Sequence, residues 1–443
     1  MVQQSRLSCR GVFLMASALA VSPLAGPALA QAPLPTIKYF AVGPDQALTY
    51  PSTLQTLPDE HTTFIPPFHR DFPPPAPGED GFLVFASSNI AAGTGGTVVL
   101  QTKDLMNFDF AYTRGFDAQV MTPPVKFSLC DSTYDVEFDE NYSAPGTVIQ
   151  DPTRPPGNMM MFYEAENHCP GGVWQQPYYA TIGFARSSDG GRTWPAPIDA
   201  EFGGKDRYPV LKLAAPEPAS EPAPAPMGNA IPSAFIDKDN TVYVTYEAHE
   251  GPSVPSDALI RIARAKLDGD DDEFSDDDHA ADHDRDADHD DHRIHFKKWF
   301  NGAFSEPGIG GNDTGVLPAR GCTGFQTMAE ISYNDDLGQY LMVYVCASIP
   351  DGIGAWYYST ATSLEKQDWA APRMVLNSQF PLTSPCPGLT SGGQFDGWYP
   401  SLVSPDAAQS HTKLTGRVFF MNGCDTGLKR SFMSRGFLIV TGP

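Results

Sequence analysis

Carboxylates stand beside aromatic residues at three places in this chain. "YEAENH" carries Glu164, Glu166 and His168; "YEAHEGP" carries Glu247, His249 and Glu250; "QFDGWYP" carries Asp396, Trp398 and Tyr399. Two shorter stretches add Glu60 with His61, and Tyr142. Cleaving a glycosidic bond needs a carboxylic acid to protonate the leaving oxygen and a second carboxylate as base or nucleophile. Aromatic faces and imidazoles supply the platform and hydrogen bonds for a sugar ring. Glu164, Glu166, Glu247, Glu250 and Asp396 are therefore the candidate acids. Glu60, His61, Tyr142, His168, His249, Trp398 and Tyr399 are the candidate binding residues.

Such residues work only if the fold brings distant loops together. Helical periodicity is nearly absent, and short Val/Ile/Tyr/Phe-rich runs recur between Gly, Pro and Asp punctuation, so the chain reads as all-β. One strand type recurs five times, as "FLVFASS", "MMMFYEA", "VYVTYEA", "YLMVYVCA" and "RVFFMNG". Aligning Phe85, Tyr163, Tyr246, Tyr344 and Phe420 gives intervals of 78, 83, 98 and 76 residues. The interval of 98 contains a 25-residue acidic insert (268–292), and without it the spacing is nearly even. Each copy has a strand before it and one after it. A fourth, outer strand is expected near Phe108–Tyr112, Ala196–Ala200, Ile294–Phe300 and Arg373–Leu376, with Ile37–Val42 completing the fifth unit. Five units of four antiparallel strands predict a five-bladed β-propeller spanning residues 31–443 as one domain. A six-bladed, sialidase-like propeller is the second choice.

"SSDGGRTW" (Ser187–Trp194) matches the Asp-box pattern Ser-x-Asp-x-Gly-x-Thr-Trp, which resembles the repeats of sialidases and related propellers. Its chemistry is that of a tight hairpin: Asp bonds nearby backbone N–H groups, Gly makes the turn and Trp packs back. Degenerate versions, "TKDLMNF" and "TSLEKQDW", hold equivalent places, and with them the chain resembles five-bladed glycosidases of the arabinanase, β-xylosidase and fructosidase type. That resemblance implies a carbohydrate ligand and a glycoside hydrolase, with loops entering the first strand and leaving the second strand of each blade forming the site. It does not bring a catalytic set with it. Gly146 stands where an "APD"-type motif would place aspartate, Glu330 lies inside its strand, and "EGP" (Glu250–Pro252) follows a second strand. A non-catalytic glycan- or protein-binding propeller and a sialidase-like enzyme are the alternatives.

The first 30 residues read as a signal peptide. Arg6 and Arg10 precede an apolar run, and Ala28-Leu29-Ala30 fits the cleavage rule. Cleavage after Ala30 predicts a periplasmic or secreted protein, and no later stretch is long and apolar enough to span a membrane. Of seven cysteines, Cys9 leaves with the leader. The remaining Cys130, Cys169, Cys322, Cys346, Cys386 and Cys424 suit disulfides in an exported chain. Their matching places in the repeat select Cys130–Cys169, Cys322–Cys346 and Cys386–Cys424, all bracing one face.

The formal net charge is −24, and loss of Arg6 and Arg10 makes it −26. Half of that lies in the insert 268–292, and an acidic chain is a poor partner for nucleic acid. No cofactor is required by this chemistry, and a monomer is expected. His279, His283, His289 and His292 stand among the insert's carboxylates and are candidates for loose divalent-metal binding. Ala215–Met227 is a Pro-rich spacer.

Overall fold

The computed structural model describes residues 34–51, 63–65, 81–91, 94–111, 138, 142–167, 179–192, 194, 207–213, 227–250, 259–267, 293–317, 325–348, 353–378, 396–422 and 431–442. These residues form β-strands, with no helix among them. The strands group into five antiparallel meanders in chain order.

Blade one is Thr63–Ile65, Phe82–Ala91, Thr94–Thr102 and Asp109–Phe110. Blade two is Tyr142–Gln150, Met159–Asn167, Tyr179–Ser187 and Arg207–Leu211. Blade three is Met227–Ile236, Thr241–Glu250, Ile260–Lys266 and Lys297–Phe300, edged by Ala303–Pro307. Blade four is Phe325–Asn334, Gln339–Ser348, Ile353–Ala361 and Arg373–Met374. Blade five is Asp396–Val403, Thr415–Asn422 and Ser431–Gly442, with Thr36–Val42 as its outer strand. The N-terminal strand thus closes the ring as the repeat predicts. The outer strand of blade two is Arg207–Leu211, antiparallel to Tyr179–Ser187, and the expected Ala196–Ala200 lies outside the described residues. Tyr208 of that strand packs on Phe184, which is the contact that selects it.

Strand alternation builds the core. Met159, Met161, Tyr163 and Ala165 face blade one, in a cluster with Leu83 and Phe85. Met160 and Phe162 point the other way, to Val242, Val244 and Tyr246 of blade three. The period-two rule of a strand buried on both faces explains the unbroken apolar runs. The same division recurs around the ring. Tyr243 and Ile262 meet Tyr340, Met342 and Tyr344; Leu341, Val343 and Val345 meet Val418 and Phe420; Phe419 and Phe432 meet Phe82 and Val84. Five clusters therefore fill five junctions, including the one between the last blade and the first. A closed ring of five, rather than six, follows from that continuity.

The turns after the third strands carry the repeated motif. Ser187 Oγ bonds Asp189 (2.8 Å) and accepts from Gly191 N–H (3.0 Å), and Asp189 accepts from Arg192 N–H (3.0 Å). Gly190 and Gly191 have φ of 79° and 78°, a region open to glycine. Trp194 packs edge-on against Phe85 of the preceding blade, so the motif joins blades one and two as well as turning its own. Asp104 accepts from the N–H groups of Met106 and Asn107 at the equivalent turn of blade one, and Asp368 from Thr362 and Ser363 in blade four. Those bonds hold the Asp104 carboxyl down to about 2.

One end of the ring is crossed by the connection between the first two strands of blade five. His411–Thr412 pairs in parallel with Tyr333 and Asn334 of blade four. Gln409 bonds Val148 O (2.8 Å) and receives Gln150 N–H (3.3 Å) on blade two. This segment ties three blades together at the end opposite Glu166.

Candidate functional site

The other end is built from the starts of the first strands and the ends of the second. Glu164 and Glu166 lie on the face of blade two that looks at blade three, because they continue the row of Met160 and Phe162. Glu164 is buried and accepts the N–H of Ile231 at 3.0 Å. Glu166, two residues nearer the mouth and half-buried, hydrogen-bonds side chain to side chain with Glu164. Burial pushes its carboxyl up to about 8, partly opposed by the bond to Glu164. Two carboxyls in contact hold a proton between them, as like charges at that range cannot both ionise freely. The pair is a proton donor at neutral pH.

Ile231 owes its N–H direction to a bulge. The pairing with the second strand skips between Ala230 and Ser233, and Ile231 has φ of 52°, a strained value for a β-branched residue. Met328 in blade four and Tyr399 in blade five repeat it, each at 54°. At each bulge the freed N–H reaches the preceding blade. Met328 N–H goes to Glu247 at 2.9 Å, with the Thr327 hydroxyl also bonded to that carboxylate. Tyr399 N–H goes to Met328 Sδ at 3.4 Å. Glu247 is buried and acts as an inter-blade tether between blades three and four. Glu164 plays the same part between blades two and three, but with Glu166 above it.

Glu330 lies farther down the first strand of blade four. It accepts the N–H of Leu402 at 2.8 Å, and burial pushes it up to about 8, opposed chiefly by that bond. The sequence drew attention to Glu330 only as lying inside its strand. Its position two residues past a bulge is the signal that marks it.

Gly146 has no room for the carboxylate that the resemblance would place there. A Cβ at that position would stand 2.1 Å from Pro232 O. The backbones of blades two and three approach too closely for any side chain.

Tyr142, His249, Glu250 and Asp396 begin or end strands at this same mouth. Tyr142 pairs with Glu166, His249 with Gly228, Glu250 with Met227 and Asp396 with Asn422; their side chains lie outside the described ones. Trp398 and Tyr399 follow Asp396, the indole 6.0 Å from the phenol ring, and Tyr399 is buried. Glu60, His61 and His168 lie outside the described residues, as do His279, His283, His289 and His292 and the spacer before Met227. Cys346 is disulfide-bonded; Cys130, Cys169, Cys322, Cys386 and Cys424 lie outside the described residues. Among the described residues no cluster of three or more His, Cys, Asp or Glu could hold a metal ion, and no helix is long and apolar enough to cross a membrane.

Among the described residues, the buried arginines are spread over three blades. Arg207 bonds the Tyr163 hydroxyl in blade two, Arg261 pairs with Asp313 in blade three, and Arg435 pairs with Asp45 in blade five.

No protein-family model matches the sequence, and no curated protein matches it. Solved structures do. The chain is similar to the catalytic domain of a Coprinopsis cinerea GH62 α-L-arabinofuranosidase, at 12% identity and TM-score 0.43, covering 91% of this chain and 98% of that one. It is similar to a Bombyx mori GH32 β-fructofuranosidase (8%, TM-score 0.45, covering 90% and 65%). It is also similar to an endo-1,5-α-L-arabinanase from Thermotoga petrophila (13%, TM-score 0.43, covering 90% and 76%). The five-blade architecture rests on the strand order and the five inter-blade clusters described above.

Proposed function

We propose that this chain is an exported, carbohydrate-active propeller that hydrolyses a glycosidic bond at the mouth between blades two and three. The observation that carries the reading is the Glu164–Glu166 pair. One carboxyl is water-accessible and protonated at neutral pH, and its partner is anchored by a backbone N–H. In this reading Glu166 protonates the leaving oxygen. Glu164, anchored by Ile231 N–H, holds the protonated carboxyl in place until the proton is transferred. The second carboxylate comes from Asp396 or Glu250, and Trp398, backed by the buried Tyr399, offers the sugar platform. This reading requires no metal or other cofactor, and leaves loose divalent-metal binding to the His-rich insert. Glu247 is a tether between blades in this reading, and not an acid.

A panel of aryl glycosides and natural oligosaccharides, followed with Glu166→Gln, Asp396→Asn and Glu250→Gln, tests the reading. Loss of Glu166 is expected to cost about 10²- to 10⁴-fold in kcat, with less effect on substrates whose leaving group needs no proton. Equal activity in Glu166→Gln and the parent on every substrate would overturn it. Binding of a glycan with no turnover in the parent protein favours a lectin-like propeller, the second reading, which the same aromatic and acidic mouth supports. Secretion with cleavage after Ala30, and the pairings Cys130–Cys169, Cys322–Cys346 and Cys386–Cys424, belong to this proposal and are read by mass spectrometry of the exported protein.

A further inference from the structure

Asn229 is the most conspicuous polar residue without a task. It is fully buried, at 0% exposure, yet neither Oδ1 nor Nδ2 has a hydrogen-bond partner. A buried carboxamide with all its bonds unmade is costly. Such a group in a folded chain calls for an explanation.

Strand register says what lies beside it. Asn229 stands between Gly228 and Ile231 on the first strand of blade three. Gly228 pairs with Ala180, and Ala180 pairs in turn with Glu166. The approach is so close that a Cβ on Gly228 would meet Ala180 O at 2.0 Å. On the other side, Ile231 donates its N–H to Glu164. The strand therefore passes both acids within three residues, and of the two residues between its points of contact Asn229 is the polar one, paired with Ala248, whose side chain lies in the cluster between blades two and three. The same design recurs one blade on. Gln326, buried and with Oε1 unpartnered, immediately precedes Thr327 and Met328, which bond Glu247. There, the place two residues past the tether is His249 rather than a second carboxyl.

We infer that Asn229 is a positioning residue for the Glu164–Glu166 pair, its carboxamide N–H turning to the pair when their shared proton leaves. In the protonated pair each acid already has a partner, Glu166 in Glu164 and Glu164 in Ile231 N–H, and the amide waits. On deprotonation the O–H bond of Glu166 breaks, the proton passes to water or to a leaving group, and a second negative charge appears between the strands. A donor already buried beside it lowers the cost of that state with no reorganisation of solvent. Among the described residues the titratable group acting on Glu166 is Glu164. Tyr142 and His249 are at the neighbouring strand ends, so the test controls for both. The inference deepens the proposed function but does not depend on turnover.

The experiment is a carboxyl-carbon NMR titration of glutamate-labelled, full-length mature protein, with Glu166→Gln assigning the resonance. Asn229→Ala and Asn229→Leu remove the donor, and Leu fills the volume, so that folding survives in at least one. Tyr142→Phe and His249→Gln serve as controls. The Glu166 midpoint is expected to rise by about one pH unit in both Asn229 variants, and Asn229→Leu is expected to melt no lower than the parent. A midpoint unchanged in the folded variants would overturn the inference, whatever happens to stability; so would a rise of equal size in either control. If the midpoint moves and no glycoside is cleaved, the positioning role stands and hydrolysis falls. If Glu166→Gln abolishes hydrolysis and the midpoint stays, the reverse holds.

Discussion

Residue scale is where the two raised carboxyls act. Glu166 and Glu330 stand at about 8, against 4.5 for an ordinary glutamate. Between those values the folded chain holds protons that the unfolded chain has released. The contribution is fully present below about 4.5 and is lost as pH rises through about 8. Each group therefore gives a downward slope of up to about 1.4 kcal/mol per pH unit in that window, reduced by the water that reaches both carboxyls. Denaturant unfolding of the parent should show stability falling from pH 5 to pH 8. Glu166→Gln and Glu330→Gln should each flatten the fall, and the double variant most of all. A parent whose stability does not fall across that range would contradict protonation of these groups. Asp104 works in the opposite sense, since its turn bonds favour the charged form and are lost only in strong acid.

Element scale is where the recurring bulge matters. A first strand that bends at Ile231, Met328 and Tyr399 frees an N–H at each bend, and a group on the preceding blade accepts it. Glu247→Ala leaves Met328 N–H and the Thr327 hydroxyl buried without that acceptor. The expected cost is about 1–3 kcal/mol, read as a lower urea midpoint, with kcat on the best substrate kept. A variant that lost kcat while keeping its stability would make Glu247 an acid rather than a tether. The hairpin at Ser187–Trp194 makes a complementary case. Asp189→Ala removes an acceptor for Arg192 N–H and for the Ser187 hydroxyl, and should cost about 1 kcal/mol. Catalysis should be untouched, as the turn lies at the far end of blade two from Glu166. Loss of activity at unchanged stability would contradict that placement.

At the scale of the whole molecule the ring depends on its first strand. Thr36–Val42 pairs along Ser431–Gly442. Phe40 and Val42 enter the core between blades four and five, and Leu376 N–H bonds Phe40 O at 2.8 Å. A chain begun at Gly43 should lose both, exposing the edge of blade five. Expected outcomes are a sharply lower melting temperature or aggregation, partly reversed by adding the 36–42 peptide. A truncated chain that melts like the parent would show that closure is made elsewhere.

Much of this was legible in the sequence. Unbroken apolar runs and five copies of one strand determine an all-β chain of five units, since a strand buried on both faces needs apolar residues at every position. The Asp-box string determines a turn, because its bonds are local. The "YEA" repeats determine that Glu164 and Glu247 are equivalent. What only the tertiary structure decided depends on contacts between blades. Equivalent glutamates become unequal because Glu164 shares a hydrogen bond with Glu166, whereas Glu247 is bonded by Met328 N–H and the Thr327 hydroxyl. Gly146 is excluded as a site because Pro232 of the next blade comes within reach of a Cβ. The outer strand of blade two is Arg207–Leu211 because Tyr208 finds Phe184. Asn229 matters because its strand passes beside two acids more than sixty residues away in the chain. Local pattern sets the strands, while burial and charge at a site are properties of neighbours that the sequence does not place side by side.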